Sequence, residues 1–334
     1  MRIILCGFGV VGQSLAKLFE SRSEDLYAQY GLKPRIVGVF DSKGSAVESS
    51  GLDLNRLVET KKKGSVKFYS DKKNMSGIEL INSIEADVLI ETTASNYTDA
   101  EPGISHITTA MKHGMHVISV NKGPLALAFP SLMELATYNQ VLLRFSGTVG
   151  GGTPILDYAK NSLRGERITS FAGILNGTTN YILTNMADGN SYNTALKDAK
   201  QKGYVEADEA LDLDGLDAAA KLVILANWVM GMKVTLPDVD CTGIRNITSN
   251  DVKNAAKNNC AIKLIASCEK NLIVSPKEIP IDDPLCVNGT LNAISFTSEH
   301  SGTQTIIGHG AGGMETASSI LRDLLDIRKE IARD

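Results

Sequence analysis

Three glycines near the start of the chain, Gly7, Gly9 and Gly12, have the GxGxxG spacing and follow the apolar run of residues 3–6. A turn of this kind between a strand and a helix aims backbone N–H groups and the positive end of the helix dipole at a phosphate. The first glycine permits the tight turn, the second lets the backbone approach a pyrophosphate, and the third lets helix and strand pack closely. Gly7, Phe8, Gly9, Val10, Val11 and Gly12 are therefore expected to cradle a dinucleotide at the head of a helix over residues 11–22. Asp41 ends the next apolar run, residues 36–40, where an acid would take a ribose 2′-hydroxyl and favour NAD(H). Lys43, two positions on, would instead neutralise a 2′-phosphate and favour NADP(H). A turn-forming Asp before Ser-Lys-Gly is an equal alternative for Asp41. Both cofactors are expected to bind, NADP(H) with some preference, because a flexible lysine lets the phosphate swing away from the carboxylate.

The second chemical signal is a lysine in an apolar helix. Residues 218–232 are almost wholly apolar apart from Lys221 and Asn227, so a helix over residues 217–229 must be buried on most of its circumference. A buried ammonium is costly unless paired, and Asp217 stands one turn earlier on the same face. The pair is either a structural ion pair or a group that moves a proton. Five acids precede it: Glu206, Asp208, Glu209, Asp212 and Asp214. They serve either as helix caps and solvated charges or as a site for a cationic amine. Their spacing lacks the glycine and terminal glutamate of a calcium loop.

The elements that must position these groups change character along the chain. Apolar runs at residues 3–6, 36–40, 66–69, 88–90, 116–120 and 141–145 alternate with helical patterns, the signature of a parallel sheet with helices on both faces. Thr93 and Lys122 follow two of these runs on the carboxyl edge, where open α/β sheets bind ligands, and are expected to line the nicotinamide side. After residue 154 come an extended segment (168–175), a helical one (181–202) and strand-like pieces at 260–267 and 305–307, which is α+β in character. The expected fold is α/β, a Rossmann-type doubly wound parallel sheet with a second α+β domain. Residues 1–135 form the dinucleotide-binding domain, completed by residues 308–334 with a helix over 316–332, and residues 136–307 form the second domain. The glycine cluster at 308–313 opens that last helix, and Gly312 within it is a further point where backbone approaches the cofactor.

Composition narrows the class. The 334 residues are 43% hydrophobic and 22% charged, which is the range of folded domains and not of disordered chains. A net charge of -4 offers no general attraction to a nucleic-acid backbone, and the run Lys61, Lys62, Lys63 reads first as a solvated face and second as a binding patch that would help Lys43 attract a 2′-phosphate. Five cysteines without CxxC spacing suggest neither a disulfide framework nor zinc. Glycines interrupt the apolar N-terminal run and no apolar stretch is long enough to span a bilayer, so neither a secretion signal nor a membrane anchor is expected. The expected location is the cytoplasm.

The motifs VNKGPLA (120–126), GTVGGGTP (147–154), GILNGTTNYIL (173–183) and GYVEADEALDLDGLDAAAKL (203–222) together resemble the homoserine dehydrogenase family over nearly the whole chain. The likeness is to its short form, without a kinase or C-terminal regulatory domain. It implies NAD(P)-dependent interconversion of L-homoserine and L-aspartate 4-semialdehyde, a step toward threonine, methionine and isoleucine, by a homodimer built on the second, catalytic domain. It further implies that Glu206 and Asp212 bind the amino-acid end of the substrate, with Gly203, Asn176 and Thr178 beside it. Asp217 would lie near the reacting hydroxyl, and Lys221 and Lys122 would serve proton transfer. The family's monovalent cation, such as Na+, would fall on the backbone carbonyls of Val149, Gly151 and Thr153, although Ser146 stands where some relatives carry glutamate. Two rivals remain: a semialdehyde dehydrogenase with an acylated cysteine partnered by histidine, and a nonenzymatic dinucleotide sensor.

Overall fold

A computed structural model describes residues 1–70, 74–205 and 208–332. They form two compact units, one of Met1–Thr148 with the C-terminal segment from Gly312, the other of Val149–Ala311.

The first unit has strands β1 (Arg2–Cys6), β2 (Arg35–Asp41), β3 (Gly44–Val47), β4 (Val88–Glu91), β5 (His116–Ser119) and β6 (Leu143–Arg144), in the order β3-β2-β1-β4-β5-β6. Every neighbouring pair is parallel except β2 and β3. The α/β reading is thus the fold found. Strands β1 and β4 are buried almost end to end, as strands covered on both faces must be, and their register sets Cys6 beside Glu91 at the carboxyl edge. One expected strand is absent: residues Val66–Tyr69 form a 3-10 turn, and the antiparallel β3 takes the sheet edge instead. The cause is local. The Val66 N–H donates to the Asp41 carboxylate and the Ser65 side chain accepts the Lys67 N–H, so these amides are used by side chains rather than by a strand ladder.

Its helices are α1 (Val10–Ser21), α2 (Ser23–Tyr30), α3 (Leu54–Lys62), α4 (Gly77–Ser83), α5 (Gly103–Lys112), α6 (Lys122–Tyr138) and the C-terminal helix Gly313–Ile331. Leu15 and Phe19 of α1 join Ile320, Leu324 and Ile327 of the C-terminal helix in one core with Ile3 and Leu5. Fully burying side chains of this kind contributes about 1.5–3 kcal/mol each, which is why the last helix belongs to the first unit. The boundary near residue 148 lies later than the expected 135, because β6 still pairs with β5 in the first sheet.

The second unit has strands β7 (Ile168–Ile174), β8 (Val239–Cys241), β9 (Cys260–Cys268), β10 (Leu272–Pro280), β11 (Leu291–Ser298) and β12 (Gly302–His309), in the order β12-β11-β7-β9-β10-β8. All pairs are antiparallel except β8 with β10. Helices α7 (Ile155–Asp157), α8 (Gly177–Ala187), α9 (Tyr192–Gln201), α10 (Ala210–Leu213), α11 (Leu216–Met230) and α12 (Ser249–Lys257) complete it. The helical pattern expected over residues 181–202 is two helices, parted at Asp188-Gly189-Asn190 where Gly189 takes φ +98°. Helices α8, α11 and α12 pack on β9. Where β7, β9 and β11 pair, Phe171, Cys268 and Phe296 are buried, while Ser170, Ala172, Ser267, Ser295 and Thr297 are half-buried. Cross-strand pairing of Ala172 with Ser295 and Ser267, and of Ser170 with Thr297, aligns the latter set into one band of small side chains.

Candidate active site

The glycine turn of the first unit has the geometry expected of a phosphate cradle. Gly7 takes φ +90°, and a β-carbon there would lie 2.8 Å from the Thr92 carbonyl oxygen. A β-carbon on Gly12 would lie 2.7 Å from the Gly7 carbonyl oxygen, so close helix–turn packing excludes any side chain, whereas Gly9 faces open space. Gly9 is the N-cap of α1 and supplies no side-chain hydrogen bond, which leaves the first helical amides to another acceptor. Phe8 buries its ring in the core, Val11 is half-buried and Val10 is exposed. Gly312, with φ +147°, caps the C-terminal helix, and a β-carbon on the adjoining Gly313 would meet Val10 and Ser14. Both helix starts therefore meet at the glycine turn.

Asp41 is committed within its own unit. One carboxylate oxygen accepts from the Lys43 amide and the Ser65 hydroxyl, the other from the Val66 amide and the Lys61 ammonium at 2.6 Å. Burial alone would raise its pKa, but Lys61 and these donors outweigh it and hold the carboxyl below the ordinary carboxylate value. Lys61 is thus an ion-pair partner and not a purely solvated charge. Lys62 pairs with Glu59 on the surface, and the Lys43 side chain is exposed. Thr93 and Lys122 both follow strand ends on the carboxyl edge. The Thr93 amide donates to Glu91, and the Lys122 amide donates to the Ser95 hydroxyl at 3.0 Å. Lys122 is the first residue of α6, with Asn121 as N-cap.

In the second unit, four predicted residues form one chain of contacts. The Lys221 side chain, 8% exposed, donates to Asp217 and to the Leu175 carbonyl, both at 2.6 Å. The Asn176 amide donates to the same Asp217 oxygen at 3.0 Å and to Asp212 at 2.7 Å. Asn176 owes its place to the end of β7, where it caps α8 by accepting the Thr179 amide. Thr178 donates its hydroxyl to the Tyr204 carbonyl, next to Gly203, which takes φ +73°. The acids of the preceding loop separate into two kinds. Asp208 caps the Ala210 amide, Glu209 pairs with Lys200, and Asp214 pairs with Arg245 at 2.5 Å, the ordinary roles of loop charges. Asp212 is buried and turned toward Asn176. Glu206 lies outside the described residues.

Val149, Gly151 and Thr153 lie on one loop of the second unit, bent by consecutive left-handed glycines, Gly150 and Gly151. The Thr153 carbonyl accepts the Ile155 amide at 2.8 Å. Sequence reading missed Lys263, fully buried on β9. Its ammonium donates to the Val287 carbonyl at 2.7 Å and to the Asn180 and Asn288 side chains at 3.0 Å. Burial holds its pKa below the usual lysine value. Lys263 is the one charge in an apolar strand buried continuously from Ile262 to Ala266, a signal of the same kind as Lys221 that was read only as a strand. Sequence reading also missed the buried pair Glu91 and His106, whose atoms approach to 2.8 Å from separate elements.

A family model described as homoserine dehydrogenase matches residues 154–325, and one described as homoserine dehydrogenase, NAD binding domain, matches residues 7–146. A homoserine dehydrogenase of Methanocaldococcus jannaschii is 44% identical over 331 residues, covering 98% of each chain. The chain belongs to the homoserine dehydrogenase family. It is an NAD(P)-dependent oxidoreductase. An NAD(+)-dependent homoserine dehydrogenase of Pseudomonas canavaninivorans is 36% identical and covers 99% of this chain and 97% of its own length. Among solved structures, a hyperthermophilic archaeal homoserine dehydrogenase in complex with NADPH superposes with a TM-score of 0.87 at 28% identity, covering 98% of both chains. Membership removes the acyl-cysteine rival, and the thiols agree. Burial raises the pKa of Cys6, Cys241, Cys268 and Cys286, the opposite of an activated nucleophile. Cys6 does lie within 4.8 Å of His106, but it is wholly buried and that imidazole is engaged with Glu91.

Proposed function

We propose that this member of the homoserine dehydrogenase family interconverts L-homoserine and L-aspartate 4-semialdehyde with Lys221 as the proton-transfer group. The observation that carries the assignment is the buried chain Lys221–Asp217–Asn176–Asp212. Bound nicotinamide supplies or takes up the hydride at the substrate carbon. In the reductive direction the Lys221 ammonium donates a proton to the aldehyde oxygen, and in the oxidative direction its neutral amine takes the hydroxyl proton. Asp217 fixes the amine and balances its charge. Asp212, with Glu206, would hold the substrate ammonium, while Asn176 and Thr178 orient the carboxylates and the segment around Gly203. Lys122 is a second group for the proton.

Gly7, Phe8, Gly9, Val10, Val11, Gly12, Thr93 and Gly312 would contact the dinucleotide, largely through backbone. A monovalent cation on the carbonyls of Val149, Gly151 and Thr153 suits a neutral oxygen donor set on a sharply bent loop, and no step is routed through it. Among the described residues no helix is long and apolar enough to cross a membrane. With five free thiols, a reducing cytoplasm is the proposed location, which cell fractionation checks.

Cofactor choice follows from Asp41 and Lys43. An Asp41 carboxylate already neutralised by Lys61 repels a 2′-phosphate less than a free one would, so both cofactors are expected, NADP(H) with some preference. The band of small side chains centred on Ala172, Ser267 and Ser295 is the surface proposed to face a second copy, since sheets pack face to face through such rows. A homodimer is then expected by analytical ultracentrifugation at micromolar concentration, and a monomer would contradict it.

The enzymatic reading is tested by following NAD(P)H formation with L-homoserine. Lys221→Ala should lower turnover by at least about a hundredfold, the usual weight of a general acid/base group, with cofactor affinity nearly intact. Near-normal kcat in the folded variant would remove the lysine from the mechanism. Lys43→Ala should weaken NADP(H) and spare NAD(H), by about 1 kcal/mol or more for a charge-assisted contact. Equal losses for both cofactors, or none, would contradict a contact between Lys43 and the 2′-phosphate.

A further inference from the structure

We propose that Glu91 and His106 act as positioning residues for the reaction, a buried carboxylate–imidazole pair that fixes the loops carrying Thr93 and Lys122. The proposal rests on the reading that these loops face the nicotinamide. Glu91 is fully buried at the end of β4. Taking a carboxylate out of water costs several kcal/mol, and replacing both partners of a buried hydrogen-bonded pair by apolar groups is often nearly neutral, so stability alone gives no reason for the pair.

Its contacts run toward the loops. One Glu91 oxygen meets His106 Nδ1 of α5 at 2.8 Å, and the other accepts the Thr93 amide at 2.7 Å and the Thr93 hydroxyl. With that hydroxyl donating to Glu91, its oxygen accepts the Asn121 side-chain amide at 3.1 Å. The Asn121 amide nitrogen also approaches the Ala94 carbonyl at 3.3 Å, and its oxygen accepts the Gly123 amide at 3.0 Å, which caps the helix that begins with Lys122. Thr92, between Glu91 and Thr93, donates to the carbonyls of Cys6 and Gly7 at 2.9 Å. The carboxylate therefore links α5 to the loop after β4 and, through Thr93 and Asn121, to the start of α6, while the neighbouring Thr92 ties the same loop to the first glycine of the turn.

The imidazole is held in one orientation. The His106 and Phe40 rings meet edge-on with centroids 5.0 Å apart. Gly77 lies so close that a β-carbon on it would stand 2.7 Å from His106 Nε2. Nδ1 thus faces Glu91, and a rigid donor there fixes which way the carboxylate presents its oxygens to Thr93.

The test uses two variants of His106. Asn places an amide nitrogen near the position of Nδ1, while Gln places it near that of Nε2. The readouts are kcat and KM for L-homoserine, cofactor Kd by fluorescence, and Tm. H106N should stay within about threefold of the parent in kcat, and H106Q should lose at least about tenfold in kcat with cofactor Kd little changed, since small misplacements of reacting groups are costly. A parent that turns over while H106N and H106Q share the same kcat, or losses that merely follow Tm, would overturn the proposal alone. A parent without homoserine-dependent cofactor reduction would overturn the reading of the loops and the proposal with it. Should a His106 variant fail to fold, Thr93→Val puts the same question at a half-buried position: it removes the hydroxyl that joins Glu91 to Asn121 and should lower kcat about tenfold with Tm and cofactor Kd little changed, and an unchanged kcat, or a loss confined to cofactor Kd, would overturn the link.

Discussion

A lysine ammonium enclosed by an apolar helix must be met by oxygen atoms, and that requirement organises the second unit. Lys221 finds them in Asp217, one turn back on α11, and in the Leu175 carbonyl that follows β7. Asp217 then needs a donor of its own, which Asn176 provides while capping α8 and holding Asp212. Three helices and one strand end are thus tied to a single charge. Removing one partner of such a buried set leaves the other charge uncompensated, at a cost of about 3–5 kcal/mol.

The first unit solves a different problem with different means. It presents backbone N–H groups at a helix start, and three glycines make that possible by turning, by lying open and by allowing close packing. Side chains enter mainly as internal fasteners. Asp41 draws Lys61, Ser65 and the Val66 amide into one cluster, and Glu91 joins helix α5 to the loop after β4. The first unit thus relies on backbone dipoles that are insensitive to side-chain chemistry, the second on side chains whose placement is stringent.

Much of this was legible in the sequence for physical reasons. The glycine spacing was readable because a flanking strand and helix leave few alternatives, and Lys221 because a charge inside an apolar helix is conspicuous. Of the six runs read as strands of the first sheet five are strands: residues 66–69 have strand-like composition, but Asp41 takes the amide of Val66, and the edge strand β3 was not read at all. Periodicity cannot see such a side-chain acceptor. Nor could it distinguish Asp212 from Asp208, Glu209 and Asp214, since only Asp212 meets Asn176 and that meeting depends on the end of β7. Lys263, Glu91 and His106 were missed because their partners lie on other elements.

The central claim is that Lys221 and Asp217 act as one unit in proton transfer. A double-mutant cycle on kcat for L-homoserine oxidation, built from Lys221→Met, Asp217→Asn and the double variant, measures their coupling directly. If they work together, the double variant is no slower than the slower single variant, as for residues that act as one catalytic unit. Losses in kcat that multiply independently, with all three proteins folded, would contradict the account.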